Sequence, residues 1–382
     1  MKKVCVITGS RAEYGLLSGL MGAIQNDKDL QLQVIATNMH LSPEFGMTYR
    51  EIEKDGFRID RKVEMLLSSD TSNGTTKSVG LGTIGFADAF EELRPDLIVI
   101  LGDRYEQLSI VSAATLYKIP IAHLHGGEIT EGAYDNGIRH AITKLSHLHF
   151  TSTDEYRQRV IQMGEQPQYV FNVGALGIEN IKNIQPMSKD DLEQSLGFKM
   201  GEKCLLVTYH PVTLENHSAA IQIDNLLFAL DKFQDYHVIF TYPNSDTDGR
   251  VIIEKINEYV TSNSDRTFAL PSLGLKRYLS ALRYVRAVVG NSSSGIIEVP
   301  SFGIPTLNIG DRQKGRLAAK SVVNCGICSQ NIIDGISEVL KMDCKGVKNP
   351  YEGENTLSDI LKVIKSIDLS EIIKKKFYDI KF

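Results

Sequence analysis

The sequence predicts an α/β protein built from two Rossmann-like, doubly wound domains, and three observations carry that prediction. Short β-rich apolar runs alternate with helical periods along the chain. Runs such as Leu97-Ile-Val-Ile-Leu101 lack polar alternation, as do parallel strands covered on both faces. At 382 residues the chain also exceeds what one ordinary core holds.

Taken in order, the predicted strands of the first half lie at residues 4–8, 32–37, 96–101, 119–125 and 170–173. Those of the second half lie at 204–209, 237–242, 267–270, 285–289 and 306–309. Helical periods separate them, for example at 156–163 and 219–233. The polar stretch 177–203 divides the two series, which places an N-terminal domain at 1–176 and a C-terminal domain at 177–356. An amphipathic helical stretch at 357–377 completes a terminal segment, 357–382, expected to pack back on the first domain. Ligands of such sheets sit beyond the carboxyl ends of the strands, so two facing domains would share a cleft there.

Composition narrows the function. A net charge of −5 disfavours broad nucleic-acid binding, which needs a basic surface. No segment approaches the ~18–20 apolar residues that span a bilayer, so no membrane partner is expected. The apolar run Val4–Ile7 is too short for a signal peptide and reads as a first strand. Five cysteines, an odd number mostly on apolar runs, fit a reduced cytoplasmic protein. Cys325-Gly-Ile-Cys328 has redox spacing, but no second pair completes a zinc site, so these read as incidental thiols.

The most informative stretch is Gly290-Asn-Ser-Ser-Ser-Gly-Ile-Ile-Glu298, followed by Gly310-Asp-Arg-Gln-Lys-Gly-Arg316. The first reads as a strand end, a hydroxyl-rich turn and the start of a helix, an arrangement that aims backbone N–H groups at an anion. The second brings Arg312, Lys314 and Arg316 on a glycine-flanked loop, and the guanidinium fork suits phosphate oxygens. Together they predict a diphosphate pocket in which Ser292, Ser293, Ser294 and Gly295 line the turn and Glu298 accepts from ribose hydroxyls. The commonest nucleotide motifs are missing. Thr8-Gly-Ser-Arg11 lacks G-x-G-x-x-G spacing, the second strand ends in Thr37-Asn-Met-His40 without a ribose acid, and Gly310–Arg316 lacks the Walker lysine.

Chemistry concentrates in the first half. Gly102-Asp103-Arg104 closes one strand, and the next gives His123-Leu-His125-Gly-Gly-Glu128, then Asp135-Asn-Gly-Ile-Arg139-His140. His123 and His125 are expected on one strand face, which raises a metal site, but no further ligand shows helical spacing. Carboxylates and histidines beside Asp103 fit acid–base work better, and no metal or other cofactor is expected. In the second half His210 and Asn244 end strands, His210 as a phosphate or leaving-group contact, Asn244 on weaker grounds because such residues often only make turns.

Taken together these residues resemble the hydrolysing UDP-N-acetylglucosamine 2-epimerases of sialic-acid-type sugar biosynthesis, with a glycosyltransferase-B-like fold. The resemblance spans nearly the whole chain, through Thr8-Gly-Ser-Arg-Ala-Glu-Tyr, Met39-His40, Gly102-Asp-Arg104, His125-Gly-Gly-Glu128, Asp135-x-x-Ile-Arg-His140, His210-Pro, Pro243-Asn, Gly290-Asn-Ser-Ser-Ser-Gly and Arg312-Gln-x-Gly-Arg316. It implies anti elimination of UDP to 2-acetamidoglucal, then hydration to N-acetylmannosamine. Arg11, His210, Ser292, Ser293, Glu298 and Arg312 would hold UDP, with His40, Arg104 and Arg139 as further substrate-binding positions. Asp103 and Asp135 match catalytic carboxylates. One departure stands out. Many members carry His-Ile-Glu-Gly-Gly-Glu, and the first glutamate is His125 here, so its role passes to His125 or Glu128. A branch acting on a UDP-2,4-diacetamido-trideoxyhexose fits the same residues, and relatives form homodimers or homotetramers. A UDP-sugar glycosyltransferase and a non-catalytic nucleotide-sugar binder are the competing classes. The carboxylate cluster disfavours the binder, because holding a diphosphate needs no carboxylates beside it.

Overall fold

The computed structural model of the protein describes residues 1–67, 69, 71–212, 218–243 and 248–381. The chain divides into two units. One comprises Met1–Glu128, Asp135–Lys182 and Tyr351–Phe382, the other Ile129–Tyr134 and Asn183–Pro350. The chain therefore leaves the first unit after Glu128, returns at Asp135, and comes back again for its last segment.

Among the described residues the first unit is built on strands β1 (Lys2–Thr8), β2 (Leu30–Thr37), β3 (Arg61–Val63), β4 (Leu97–Leu101), β5 (Ile121–Leu124), β6 (Leu148–Thr151) and β7 (Val170–Asn172). They pair in parallel in the order β3-β2-β1-β4-β5-β6-β7. The second unit holds β8 (Cys204–Thr208), β9 (His237–Thr241), β10 (Thr267–Leu270), β11 (Ala287–Gly290), β12 (Thr306–Ile309) and β13 (Val322–Cys325), ordered β10-β9-β8-β11-β12-β13 and again parallel. Both are doubly wound α/β sheets, as the sequence predicts.

The unbroken apolar runs have a direct cause. Successive strand side chains face opposite ways, and in the first unit both faces are covered. Val4, Val6, Val34, Leu97, Val99 and Leu124 enter one core, while Cys5, Ile7, Ile35, Ile98, Ile100 and Ile121 enter the other. In the second unit Leu205, Val207, Val238, Phe240 and Val289 form the corresponding core with the helix Ala219–Leu230.

Three strands escape the apolar pattern. β3 and β13 are four residues or shorter at sheet edges, and β6 reads Leu-His-Phe-Thr. Its His149 is fully buried, with Nε2 3.0 Å from Glu165. Glu165 also receives Lys144 Nζ at 2.6 Å and Lys375 Nζ at 2.8 Å. Burial pushes this carboxyl up, but the bonds from His149, Lys144 and Lys375 outweigh it and hold its pKa at about 2.

The terminal segment differs from the single helix expected at 357–377. It forms Thr356–Ser366 and Leu369–Ile372, because Asp368 accepts the Ser370 N–H at 2.9 Å and starts a new helix there. Within the first unit, Lys2 Nζ donates to Ile364 O at 2.7 Å, Thr356 Oγ1 to Val173 O at 2.7 Å, and the Tyr156 and Tyr351 hydroxyls meet at 2.8 Å. Ile360 and Ile364 are fully buried in the core that contains Val4 and Leu97. Ile360→Ala should therefore lower unfolding stability by about 2–4 kcal/mol, read from a denaturant titration with unchanged slope.

Candidate active site

Each sheet reverses its strand order once, between β1 and β4 in the first unit and between β8 and β11 in the second. Loops leaving the carboxyl ends on either side of such a point diverge, which opens a crevice. The predicted site residues cluster on these ends.

In the first unit, Gly102 ends β4 with φ +83, and Asp103 and Arg104 follow. The Arg139 guanidinium, 1% exposed on the helix Asp135–Leu145, donates Nη2 to Asp103 Oδ2 and Nη1 to Glu128 O at 2.7 Å. Arg139 thus ties the β4 end to the segment after β5. His123 reinforces the tie, with Nε2 2.7 Å from Gly102 O and Nδ1 3.1 Å from Thr143 Oγ1. Burial pulls its pKa down to about 3, so the ring is neutral, donating through Nε2 and accepting through Nδ1.

His125 does not share a strand face with His123. β5 stops at Leu124, and His125 takes a left-handed φ of +64. Its Nδ1 lies 3.2 Å from Glu128 Oε1, and its Nε2 accepts the Leu176 N–H at 3.4 Å. Ser152 Oγ donates to the same Glu128 oxygen at 2.8 Å. Gly127 lets the chain turn tightly here, since a Cβ would stand 2.5 Å from Tyr156 O. The result is a buried carboxylate with two donors on one oxygen. Asp135 opens the next helix and is partly exposed.

The remaining first-unit positions lie just beyond the carboxyl ends of β1 and β2. Arg11 starts the helix Arg11–Gln25 and pairs with Glu51 at 2.7 Å. His40 is fully buried between the hydroxyls of Thr8 at 3.1 Å and Thr48 at 2.8 Å, and burial pulls its pKa down to about 4.

In the second unit the organising residue is Asn291, which is fully buried. Its Oδ1 accepts the His210 N–H at 2.7 Å and its Nδ2 donates to His210 O at 2.8 Å. Its own carbonyl accepts Arg312 Nη1 at 3.1 Å and Gln313 Nε2 at 2.9 Å. One side chain and one carbonyl therefore join the β8 end, the β11 end and the basic loop. Gly290 makes this possible, because at φ +139 a Cβ would stand 1.9 Å from Thr208 O.

The serine turn follows. Gly295 N–H donates to Ser292 O at 3.2 Å and Ile296 N–H to Ser293 O at 3.0 Å, while Ser292–Ser294 are partly exposed. The helix here is only Ser294–Ile297, so any dipole contribution comes from a single turn. Ser294 Oγ meets the Tyr278 hydroxyl at 2.5 Å. Burial first, and then the Glu298 carboxylate, push that phenol's pKa up. Glu298 itself is buried. Ile129–Tyr134 belongs to this unit and lies along the basic loop. Glu131 N–H donates to Lys314 O at 3.1 Å, and a Cβ on Gly132 would stand 2.7 Å from Asp311 O. Arg316 is partly exposed on the same loop. Asn244 lies outside the described residues.

Sequence reasoning named the turn but missed Asn291 and Gln313 as its anchors, along with Ser152 and Tyr278. An amide directly after a strand-end glycine was the available signal for Asn291. The other three depend on long-range neighbours.

Comparison with known proteins decides the family. The family model described as UDP-N-acetylglucosamine 2-epimerase matches residues 22–365. The chain belongs to the UDP-N-acetylglucosamine 2-epimerase family. It is 45% identical to the GDP/UDP-N,N'-diacetylbacillosamine 2-epimerase (hydrolyzing) of Campylobacter jejuni, over 99% of each chain. It is 39% identical to polysialic acid biosynthesis protein P7 of Escherichia coli, over 100% of this chain and 98% of that one. In fold it is similar to the UDP-GlcNAc 2-epimerase from Neisseria meningitidis solved with UDP-GlcNAc, at TM-score 0.78, 17% identity and 95% and 99% coverage. This 2-epimerase family member thus carries the glycosyltransferase-B-like pair of α/β units that its sequence predicts.

Asn291→Ala in this 2-epimerase should remove both bonds that the amide makes to the His210 backbone and cost roughly 2–5 kcal/mol of stability. It should also weaken UDP binding. Calorimetric titration with UDP alongside thermal unfolding checks both, and a variant with normal UDP affinity would remove the anchoring role.

Proposed function

We propose that this chain is a hydrolysing 2-epimerase of a UDP-linked 2-acetamido sugar, releasing UDP and the free 2-epimer for sialic-acid-type sugar biosynthesis. The observation that carries the reading is the constellation of partly exposed Asp103 with buried Arg139, Glu128 and His125, in a chain whose second unit builds a candidate anion turn at its own switch point. A passive binder has no need of that carboxylate set.

In this reading the second unit holds UDP. Ser292, Ser293, Arg312 and Arg316 take the diphosphate, Glu298 the ribose, and His210 the leaving oxygen. The first unit performs the proton chemistry. The C2 proton leaves to a base as the C1–O bond to UDP breaks, giving the 1,2-unsaturated glycal. Water oxygen then adds to C1 and a proton to C2 from the opposite face. Carboxylates stabilise the oxocarbenium character that develops at C1. Both ring nitrogens of His125 are engaged, with Glu128 and the Leu176 N–H. We therefore assign proton transfer to Glu128, with Asp103 and Asp135 as its partners and His125 as the group that orients it.

Two sugars compete. UDP-N,N'-diacetylbacillosamine, a 2,4-diacetamido-trideoxyhexose, is favoured by the 45% relative named for it. UDP-N-acetylglucosamine, with N-acetylmannosamine as product, is favoured by the family description and by the relative named for polysialic acid. Assaying both UDP-sugars side by side should give turnover with one at a kcat/KM at least about tenfold higher. Turnover in deuterated water should place deuterium at C2 of the free product, and a product without it would sink the elimination.

Asp103→Asn should lower kcat by about 10²–10⁴ while UDP still binds. Equal loss of turnover and of UDP affinity would move Asp103 from catalysis to folding.

A further inference from the structure

The switch point of the first unit buries two glutamates that the proposed chemistry leaves unused. Glu13 lies on the helix after β1, and Glu106 lies in the first turn of the helix Tyr105–Leu116 after β4. Both are buried, Glu106 completely. A Cβ on Gly9 would stand 2.6 Å from Glu106 Oε1, so the β1 turn rests directly on that carboxylate.

The hydrogen bonds define what each acid does. Gly9 N–H donates to Glu13 Oε2 at 2.6 Å, and Gln107 Nε2 donates to Glu13 Oε1 at 2.7 Å. Arg104 Nε donates to Glu106 Oε1 at 3.0 Å. Two buried acceptors, Glu106 Oε2 and Gln107 Oε1, have no donor among the described residues. Thr8 Oγ1 is 3.5 Å from Glu13 Oε2, His40 behind it is neutral, Arg11 is paired with Glu51, and Asp103 is paired with Arg139. Two adjacent buried carboxylates against Arg104 cannot both stay ionised cheaply.

We propose that Glu13 and Glu106 share one proton at neutral pH and act as a positioning pair for Arg104 and the Gly9–Arg11 turn. The single negative charge fixes the Arg104 guanidinium, and the proton supplies a donor to Glu106 Oε2, one of the two acceptors without one. Burial first, then the Glu106 charge, raise the Glu13 pKa to about 8, in agreement with that arrangement. The positioning half of the inference rests on the reading of Arg11 and Arg104 as substrate-binding groups. The proton does not.

The sign is fixed by the direction of the shift. A carboxyl raised from 4.5 to about 8 keeps a proton that the unfolded chain has lost, so its stabilising effect is complete below about pH 4.5 and gone by about pH 8. Glu13→Gln carries no such proton. Its melting temperature minus that of the wild type should widen across this window and then level off. A difference that stays constant with pH overturns the shared proton. In kinetics, the wild-type KM for whichever UDP-sugar turns over should rise about tenfold above pH 8, and Glu13→Gln should lose that rise. Glu106→Gln should raise KM about tenfold at neutral pH with a smaller change in kcat, and equal losses in both would overturn the positioning role. A wild type with no turnover on any UDP-sugar would sink the functional reading, while the melting comparison would still decide the proton.

Discussion

The second unit depends on the clasp that Asn291 makes on the backbone of His210. Parallel strands β8 and β11 run side by side, but their loops part at the carboxyl end, and nothing in the sheet ladder holds them beyond Thr208. A primary amide solves this because it is a donor and an acceptor on one planar group, matching the N–H and carbonyl of a single residue. Since Asn291 is fully buried, its amide oxygen and nitrogen both need these bonds. The amide is also uncharged. It can therefore brace an anion turn without adding a carboxylate that phosphate would have to overcome.

The first unit meets the same geometric problem with different chemistry. Its strand ends are held by charged groups and by a histidine. Arg139 ties Asp103 to the Glu128 carbonyl, and His123 ties β5 to Gly102. The cost of burying the Arg139 guanidinium is offset because the pair is bonded on both sides, and breaking one partner would strand the other. Such an arrangement suits a site that must keep carboxylates in fixed places while one of them exchanges a proton. A neutral clasp would hold the backbone equally well but would not fix a carboxylate.

Much of this was legible in the sequence, and the boundary of legibility is physical. Strands buried on both faces leave unbroken apolar runs, so residues 97–101 and 204–208 are plain. The short edge strands β3 and β13 and the polar strand β6 leave none. β6 contains His149 because Glu165, sixteen residues on, gives it a partner, and nothing local to His149 announces that. Site residues were readable where the chain must turn at a strand end, as at Gly102-Asp103 and Gly290-Asn291. What each side chain does was readable only where a local neighbour decides it. The spacing of His123 and His125 suggested a shared face, but one left-handed residue ended the strand between them. The pairing of Glu13 with Gln107, ninety-four positions away, exists only once β1 and β4 lie adjacent.

The two switch points also differ in how they can fail. An amide clasp has no titration in the range where proteins work, so the clasp itself should be indifferent to pH. Carboxylate and guanidinium clasps depend on protonation state, and burial makes that state matter more because charge is poorly screened there. In the proposed reading, where the second unit holds the diphosphate and the first moves protons, the Asn291 clasp keeps its bonds across pH while the clasps of the first unit respond to it. In that reading, exchanging the two kinds of clasp would put a carboxylate at the His210 backbone beneath the phosphate, where ionisation opposes binding, whereas the buried carboxylate that this turn does carry, Glu298, is the one assigned to the ribose.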